Sequence, residues 1–436
     1  MRKPAILAAL AICIFGCGAP DTEETLQIIS PHWQGIEDEF GGAFEDHWRE
    51  KTGGQIKVVW RDMGGTSDAL RWIKSAFEKR SEGIDVDIFF GGGIDPYRQL
   101  DELGLLVRHK VSDDIIGAIP ADLKGIALYD GEYAWYGTAI SGFGVIYNKP
   151  VLSKLAVGEP ATWEDLAKPE LFTWVGTGDP RHSGTVHMMY EIILQAYGWQ
   201  RGWQIITAMS ANTRDIVTAS GDIPRSVASG HIAAGTAIDF YAWTQVAEVG
   251  EEEVGFVMPE GLTVVNPDSI AILNGAPNFE AAKAFVEFVL SEDGQKLWYL
   301  KVGAAGGPRE NSLLRMPVRE DLYGKYAADS PVRMNPFKEA KGFTYDAAVG
   351  SARYEALNYL IGAVLVDCHE SLVAAWKKAI DSGRTEEVLA ELSEPPVGEE
   401  ELNELAGTTL ADPIARNELV AKWVTSAREK YERLAE

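Results

Sequence analysis

Residues 86–106 read VDIFFGGGIDPYRQLDELGLL. The apolar run Val86 to Phe90 ends in three glycines and reads as a buried strand. The chain then returns to helix, with Asp95 as its candidate cap and Pro96 at its first position. The same strand–loop–helix unit stands twice upstream. LQIIS, 26–30, is a strand followed by the loop PHWQG and a helix from about 36 to 52. IKVVW, 56–60, is a second strand, and the segment after it opens on Gly64-Gly65-Thr66-Ser67 and then spaces Leu70, Ile73, Ala76 and Phe77 as a helix does. Strands alternating with helices over short connections predict a mostly parallel, helix-covered sheet.

The pattern continues downstream. Tyr136 to Tyr147 (YGTAISGFGVIY) reads as extended, and FTWVGTGDP leads into HSGTVHMMYEIILQAYG as another strand–loop–helix unit. Ala233 to Ile238, VGFVMP and GLTVVNPDSIAIL are further strands, and 278–301 is a helix. Beyond about 337 the chain is almost wholly helical, with Tyr354 to Ile380 expected as one helix and Asp412-Pro413 capping another. The fold class is α/β with a helical tail.

The 436 residues allow about three compact units, and 46% hydrophobic with 24% charged residues are ordinary globular values. A net charge of −25 repels nucleic acid and anionic lipid, so no nucleic-acid partner is expected. Arg2 and Lys3, the apolar run Ala5 to Phe15 and then Gly16-Cys17 have the anatomy of a secretory signal too short to span a bilayer. The chain is therefore expected to be exported. Once the signal is cleaved, Cys368 is the one cysteine left in the body, so no intramolecular disulfide and no cysteine metal cluster are expected. Its apolar surroundings, LIGAVLVDC, mark it as a small core residue.

Enzyme templates fit badly: G-x-S-x-G, H-E-x-x-H, the P-loop and a G-x-G-x-x-G ahead of a helix are all missing. His182 and His187 stand about 140° apart around a helix and make no two-histidine metal face. No catalytic residue is assigned. What recurs is a Gly/Ser/Thr loop feeding a helix start, at Gly64 to Ser67, Gly91 to Gly93 and His182 to Thr185. Helix starts offer unpaired N–H groups and partial positive charge, and in open α/β sheets such loops gather where ligands bind. Thr66, Ser67, Gly92, Gly93, Ser183, Gly184 and Thr185 are the candidate ligand contacts. Arg181 and Arg309 are loop arginines able to pair with phosphate or carboxylate, although surface ion pairing is the expected use of each. Among the aromatic residues Trp33, Trp60, Tyr97, Trp135, Tyr136, Tyr241 and Trp243, the first and Tyr241 are preferred as ligand contacts because both follow strand ends.

These segments, with AISGFGVIYNKPVL (139–152), GDPRHSGTVHMMYEIILQAYGWQRGW (178–203) and ASGHIAAGTAIDFYAW (228–243), resemble in order the type II solute-binding proteins of bacterial ABC importers. That group contains ferric-iron-, thiamine-, polyamine- and phosphorylated-compound-binding members. The resemblance covers about 25–335 and leaves the tail unaccounted for. It implies a two-lobed type II periplasmic-binding-protein fold with a helical C-terminal extension. Lobe 1 would hold 25–138 plus 262–336, lobe 2 would hold 139–261, and 337–436 would be an extension packing across one lobe. Hinge strands would lie near 140–147 and 254–268.

The segment 1–17 resembles a lipoprotein signal with a lipobox, so Cys17 would carry lipid and tether the chain to a membrane. The implied protein is a monomer without enzymatic activity or cofactor, working with permease subunits on a small-molecule or metal ligand. HSGT resembles the family's anion-holding helix start. Iron-binding members use two adjacent tyrosines on a segment similar to AIDFYAW; here Phe240 replaces the first, leaving Tyr241, with Asp239 and His32, as a partial metal set. A ferric-iron binder is thus the nearest alternative. An exported hydrolase and a ligand-free scaffold or sensor are the rivals from other classes.

Overall fold

The structure, a computed structural model, describes residues 24–332, 334–339 and 343–436. The expected signal and Cys17 lie outside the described residues. The first half of the chain gives β1 (Glu24–Ile29), α1 (Gln34–Thr52), β2 (Ile56–Arg61), α2 (Thr66–Lys79), β3 (Ile88–Phe90), α3 (Ile94–Glu102), the short α4 (Asp113–Ile116) and the hairpin β4 (Asp122–Leu123) and β5 (Ile126–Ala127). Next come the 13-residue strand β6 (Tyr136–Asn148), α5 (Lys149–Lys154), β7 (Val175–Gly178), α6 (Gly184–Tyr197), α7 (Trp199–Ala211), β8 (Thr213–Val217), α8 (Asp222–Ala228), β9 (Ala234–Ile238), α9 (Asp239–Val249) and β10 (Val254–Val257). The chain then returns through β11 (Val265–Ile272), α10 (Phe279–Leu290), α11 (Glu292–Tyr299), β12 (Met316–Pro317) and α12 (Asp321–Lys325). It ends in α13 (Pro336–Glu339), α14 (Ala347–Ile361), α15 (His369–Asp381), α16 (Thr385–Leu392), α17 (Glu399–Ala406) and α18 (Pro413–Ala435).

β6 is the strand on which the architecture turns. Its first half pairs antiparallel with β11, from Tyr136↔Ile270 to Gly142↔Val265, and with β12. Its second half, from Phe143 on, pairs with β9 and β10. The strand order is therefore β2-β1-β3-β11-β6-β9-β7-β8, and one continuous strand ties two sheet halves together. β1, β2 and β3 are parallel, as the alternating pattern predicts, and so are β7, β8 and β9.

Among the described residues two large apolar cores follow, with a smaller third of α8 and α9 against β6, β9 and β10. One joins β1, β3 and β11 to α1, α10 and α11 through Phe40, Phe44, Phe90, Phe285 and Trp298. The other gathers the inner faces of α2 and α3, α6, α7 and the C-terminal helices into a single cluster. The tail therefore packs on both sheet halves, which corrects the expectation that it lies across one lobe. The reason is apolar: Leu70, Ile73 and Tyr97 from α2 and α3 share that cluster with Leu357 and Leu360 of α14.

Two local expectations also change. The helix after the triple glycine is capped by Gly93, and Asp95 falls inside its first turn, fully buried. The helix expected over 354–380 is broken: a wider turn at Gly362–Val366 makes the axes of the two parts diverge by 58°. Arg181 fills the space a side chain at Gly362 would need, with its Cδ 2.6 Å from where a Cβ would stand, and it pairs with Asp367 at 2.8 Å. The bend wraps the tail around that arginine.

Candidate functional site

Four helix starts face one cavity of about 90 Å³ between the two sheet halves. They belong to α2, α3, α6 and α9, whose capping residues are Gly65, Gly93, Ser183 and Ile238. First-turn N–H groups lack an acceptor within their own helix and carry the positive end of its dipole. The loops approach this closely because of their glycines. Gly92 sits at φ +93°, where a Cβ would be strained, and that Cβ would stand 2.3 Å from Thr66 Cγ2. The halves are in contact across the cleft: a Cβ on Gly65 would fall 2.0 Å from the His182 carbonyl oxygen, and Arg71 donates to the Arg181 carbonyl at 2.6 Å.

The cavity floor is polar. Asp268, on β11, takes the Arg315 guanidinium at 2.6 Å and His32 Nε2 at 2.7 Å, and it accepts the Gly92 backbone N–H. Burial opposes its charge, but Arg315 and then His32 overcome that and hold its carboxyl down to about 2. Arg315 also donates to Ser141 at 2.7 Å and lies over the Phe240 and Trp298 rings, 4.3 and 5.0 Å from their centroids. Beside this ion pair stands Asn266, 4% exposed, with no partner for either amide atom among the described residues. His32 Nδ1 and Arg315 Nε are likewise buried and unpartnered. More than nine in ten buried polar groups in proteins are satisfied, so exceptions on three residues lining one cavity make it the candidate binding surface.

Seven of the candidate ligand contacts line this cavity together, Thr66, Gly92, Gly93, Ser183, Gly184, Thr185 and Tyr241, and so does His32. Ser183 also caps α6, accepting the Val186 N–H. Ser67 lies one step behind, its hydroxyl donating to the Pro180 carbonyl at 3.1 Å. Trp33, 37% exposed, lines the outer part of the cleft next to His32 and Tyr241. Asp239 points elsewhere. It accepts the N–H groups of Gly142 and Phe240 at 2.9 and 2.7 Å, and burial lifts its carboxyl to about 7. It faces a different cavity with Trp243 and Met258.

The partial metal set is therefore not gathered in one place. Tyr241 is in the cavity, its phenol pushed up by burial; His32 Nε2 is engaged by Asp268; Asp239 is turned away. Among the described residues no three His, Cys, Asp or Glu side chains are placed to hold a metal ion. Arg181 and Arg309 are committed to Asp179, Asp367 and Asp46. Trp60, Tyr97, Trp135 and Tyr136 belong to the packed cores, and Cys368 is buried.

Sequence reasoning missed Asn266, Asp268, Ser141, Arg315 and Tyr354. The first two stand out within GLTVVNPDSIAIL as polar residues in an otherwise apolar strand, a signal that was available. Arg315 sits in the loop LLRMP, far along the chain, where nothing local marks it.

Comparison with known proteins decides the family. A sequence model described as "Bacterial extracellular solute-binding protein" matches residues 87–307, half of the chain. The chain belongs to that family. The phosphoglycerate transport regulatory protein PgtC of Salmonella typhimurium is 31% identical over 159 residues, 36% of this chain and 39% of that protein, so the match spans about two-fifths of that relative. The periplasmic binding protein AfuA from Actinobacillus pleuropneumoniae, solved with fructose-6-phosphate, superposes with a TM-score of 0.62 at 20% identity, over 82% of this chain and 99% of that one. Iron-bound HitA from Pseudomonas aeruginosa gives 0.60 at 19%, over 78% and 99%. The fold of this solute-binding protein is thus the two-lobed type II periplasmic-binding-protein fold with a helical C-terminal extension. The family and these structural neighbours are binding proteins.

Proposed function

We propose that this solute-binding protein captures a small organic solute through an anionic group, a phosphate ester being the best fit, and presents it to the permease subunits of an ABC uptake transporter. Lobe 1 is 25–138 with 262–336 and lobe 2 is 139–261. They close by bending β6 near Gly142 and Phe143 and the connection between β10 and β11. Cys17 would anchor the exported monomer to a membrane.

One observation carries the reading. Four helix starts converge on a cavity whose one arginine–aspartate pair is self-neutralised, and the unpartnered Asn266 amide offers both a donor and an acceptor. Such a surface favours an anionic head with a neutral hydroxylated body. The fructose-6-phosphate in AfuA and the phosphoglycerate in the name of PgtC are of that chemistry.

A thermal-shift panel on the mature chain tests the reading. It should contain glycerol 3-phosphate, 3-phosphoglycerate, hexose phosphates, thiamine phosphate, their dephosphorylated forms and ferric citrate. A compound at 100 times its dissociation constant stabilises by about 2.7 kcal/mol. A shift with a phosphate ester and none with its dephosphorylated form supports the reading. A shift with ferric citrate alone, lost in Tyr241→Phe, replaces it with the iron reading, and turnover of any ester replaces it with hydrolysis.

A further inference from the structure

The C-terminal extension reaches into the cleft. Tyr354, on α14, is 2% exposed and lines the same cavity as the helix starts. Its hydroxyl stands 2.8 Å from Ser67 Oγ at the start of α2, and 3.0 Å from where a Cβ on Gly184 would sit at the start of α6. Its ring lies against His187 of α6, with centroids 3.8 Å apart. One phenol therefore touches lobe 1 and lobe 2 at the two loops expected to hold an anion. The Ser67 proton goes to the Pro180 carbonyl, so Tyr354 is the donor in its pair with Ser67. That proton is the one a solute oxygen at these helix starts would compete for.

The helix that carries Tyr354 is held from both sides. Arg353 pairs with Glu191 of α6 at 2.7 Å, both closed off from solvent, and His187 shares a 2.8 Å hydrogen bond with Asn358. Toward lobe 1 the same helix packs along α3, Lys74 of α2 pairs with Glu355, Gln99 donates to the Ser351 carbonyl at 3.0 Å, and the Tyr345 hydroxyl donates to Asp95 at 3.0 Å. The extension thus bridges the two lobes, with α14 seated on α3 and α6 and the helices after it on α7.

We propose that the extension forms the third wall of the binding site, and that Tyr354 donates its hydroxyl to the bound solute and limits its size to that of a small phosphate ester. The solute class rests on the anion-capture reading above; the placement of the wall does not. The full mature chain, with Tyr354→Phe, Tyr354→Ala and Tyr359→Phe variants, should be titrated calorimetrically with inorganic phosphate, glycerol 3-phosphate and glucose 6-phosphate. Tyr359 lies on the same helix but packs beside Arg416, 5.0 Å from its ring, and serves as the control.

Tyr354→Phe should weaken the best-bound probe about five- to tenfold, the size of one lost hydrogen bond, with Tyr359→Phe within twofold. Tyr354→Ala should shift the preference between the three-carbon and hexose phosphates toward the hexose by about tenfold. Affinities and preference unchanged in both Tyr354 variants overturn the proposal. If no probe binds the wild type, the anion reading has failed, and the wall is then read from hydrogen exchange at the first-turn amides of α2 and α6. Exchange at least ten times faster in Tyr354→Ala supports it, and unchanged exchange overturns it.

Discussion

Arg315 Nη1 lies 2.6 Å from Asp268 Oδ2, and with side chains 2% and 7% exposed the pair is shut away from water at the floor of the cleft. A buried ion pair gives little net stability, but breaking one side of it leaves a charge with no partner. Arg315→Met should destabilise the protein by about 3–5 kcal/mol, and combining it with Asp268→Asn should recover most of that loss. Guanidinium unfolding of the three proteins measures this. Equal losses in the single and double variants would contradict the assignment of Asp268 as the charge Arg315 neutralises.

Asn266 makes the opposite prediction, because its side chain has no hydrogen bond within the described protein to lose. Asn266→Ala should change stability by less than about 1 kcal/mol while weakening solute binding about tenfold or more. Asn266→Asp, which sets a carboxylate where an anion is expected, should abolish binding. Parallel melting and titration separate the two effects. A large stability loss with affinity intact would make Asn266 a structural residue.

Gly65 tests closure. Its backbone, at φ −75°, suits any residue, so alanine is unstrained within lobe 1. Across the cleft, however, its Cβ would stand 2.0 Å from the His182 carbonyl oxygen. Gly65→Ala should therefore keep its melting temperature, show a larger radius of gyration by small-angle scattering, and lose at least tenfold in affinity. An unchanged radius with unchanged affinity would show that the lobes do not meet here when solute is bound.

Asp95 predicts a pH dependence. Burial raises its carboxyl to about 7; the Tyr345 hydrogen bond and Arg98 pull it down and Glu191 pushes it up. Its native pKa lies above the unfolded value near 3.9, so between those values the native state binds the extra proton. That contribution to stability is complete below about pH 4 and is lost as pH rises through 7. Asp95→Asn, which keeps the neutral form, should melt ever higher relative to wild type as pH goes from 5 to 8. A constant difference across that range would contradict it.

Much of this fold was legible in the sequence because its strands are short apolar runs punctuated by glycine, and VDIFFGGG and HSGTVHMMYEII read correctly as strand or loop feeding a helix. The helix starts at Thr66 and Gly184 were found for the same reason: capping chemistry is local. What stayed hidden is non-local. Asp268 and Arg315 meet only because β11 and β12, which Arg315 immediately precedes, both pair along β6, and Tyr354 reaches the cleft only because α14 bridges two helices far from it in sequence. Asp239 misled for a related reason. A carboxylate at a helix start beside a tyrosine looks like a ligand, but burial turned it to its own backbone at Phe240 and to Gly142. The break at Gly362 depends on Arg181, nearly two hundred residues earlier.

The most direct test of the central claim is calorimetric titration of the mature protein with matched pairs: glycerol 3-phosphate against glycerol, and glucose 6-phosphate against glucose. Saturable one-to-one binding of a phosphorylated member, no heat from its unphosphorylated partner, and loss of binding in Asn266→Asp are predicted. Equal binding of both members of a pair, or binding that survives Asn266→Asp, would contradict it.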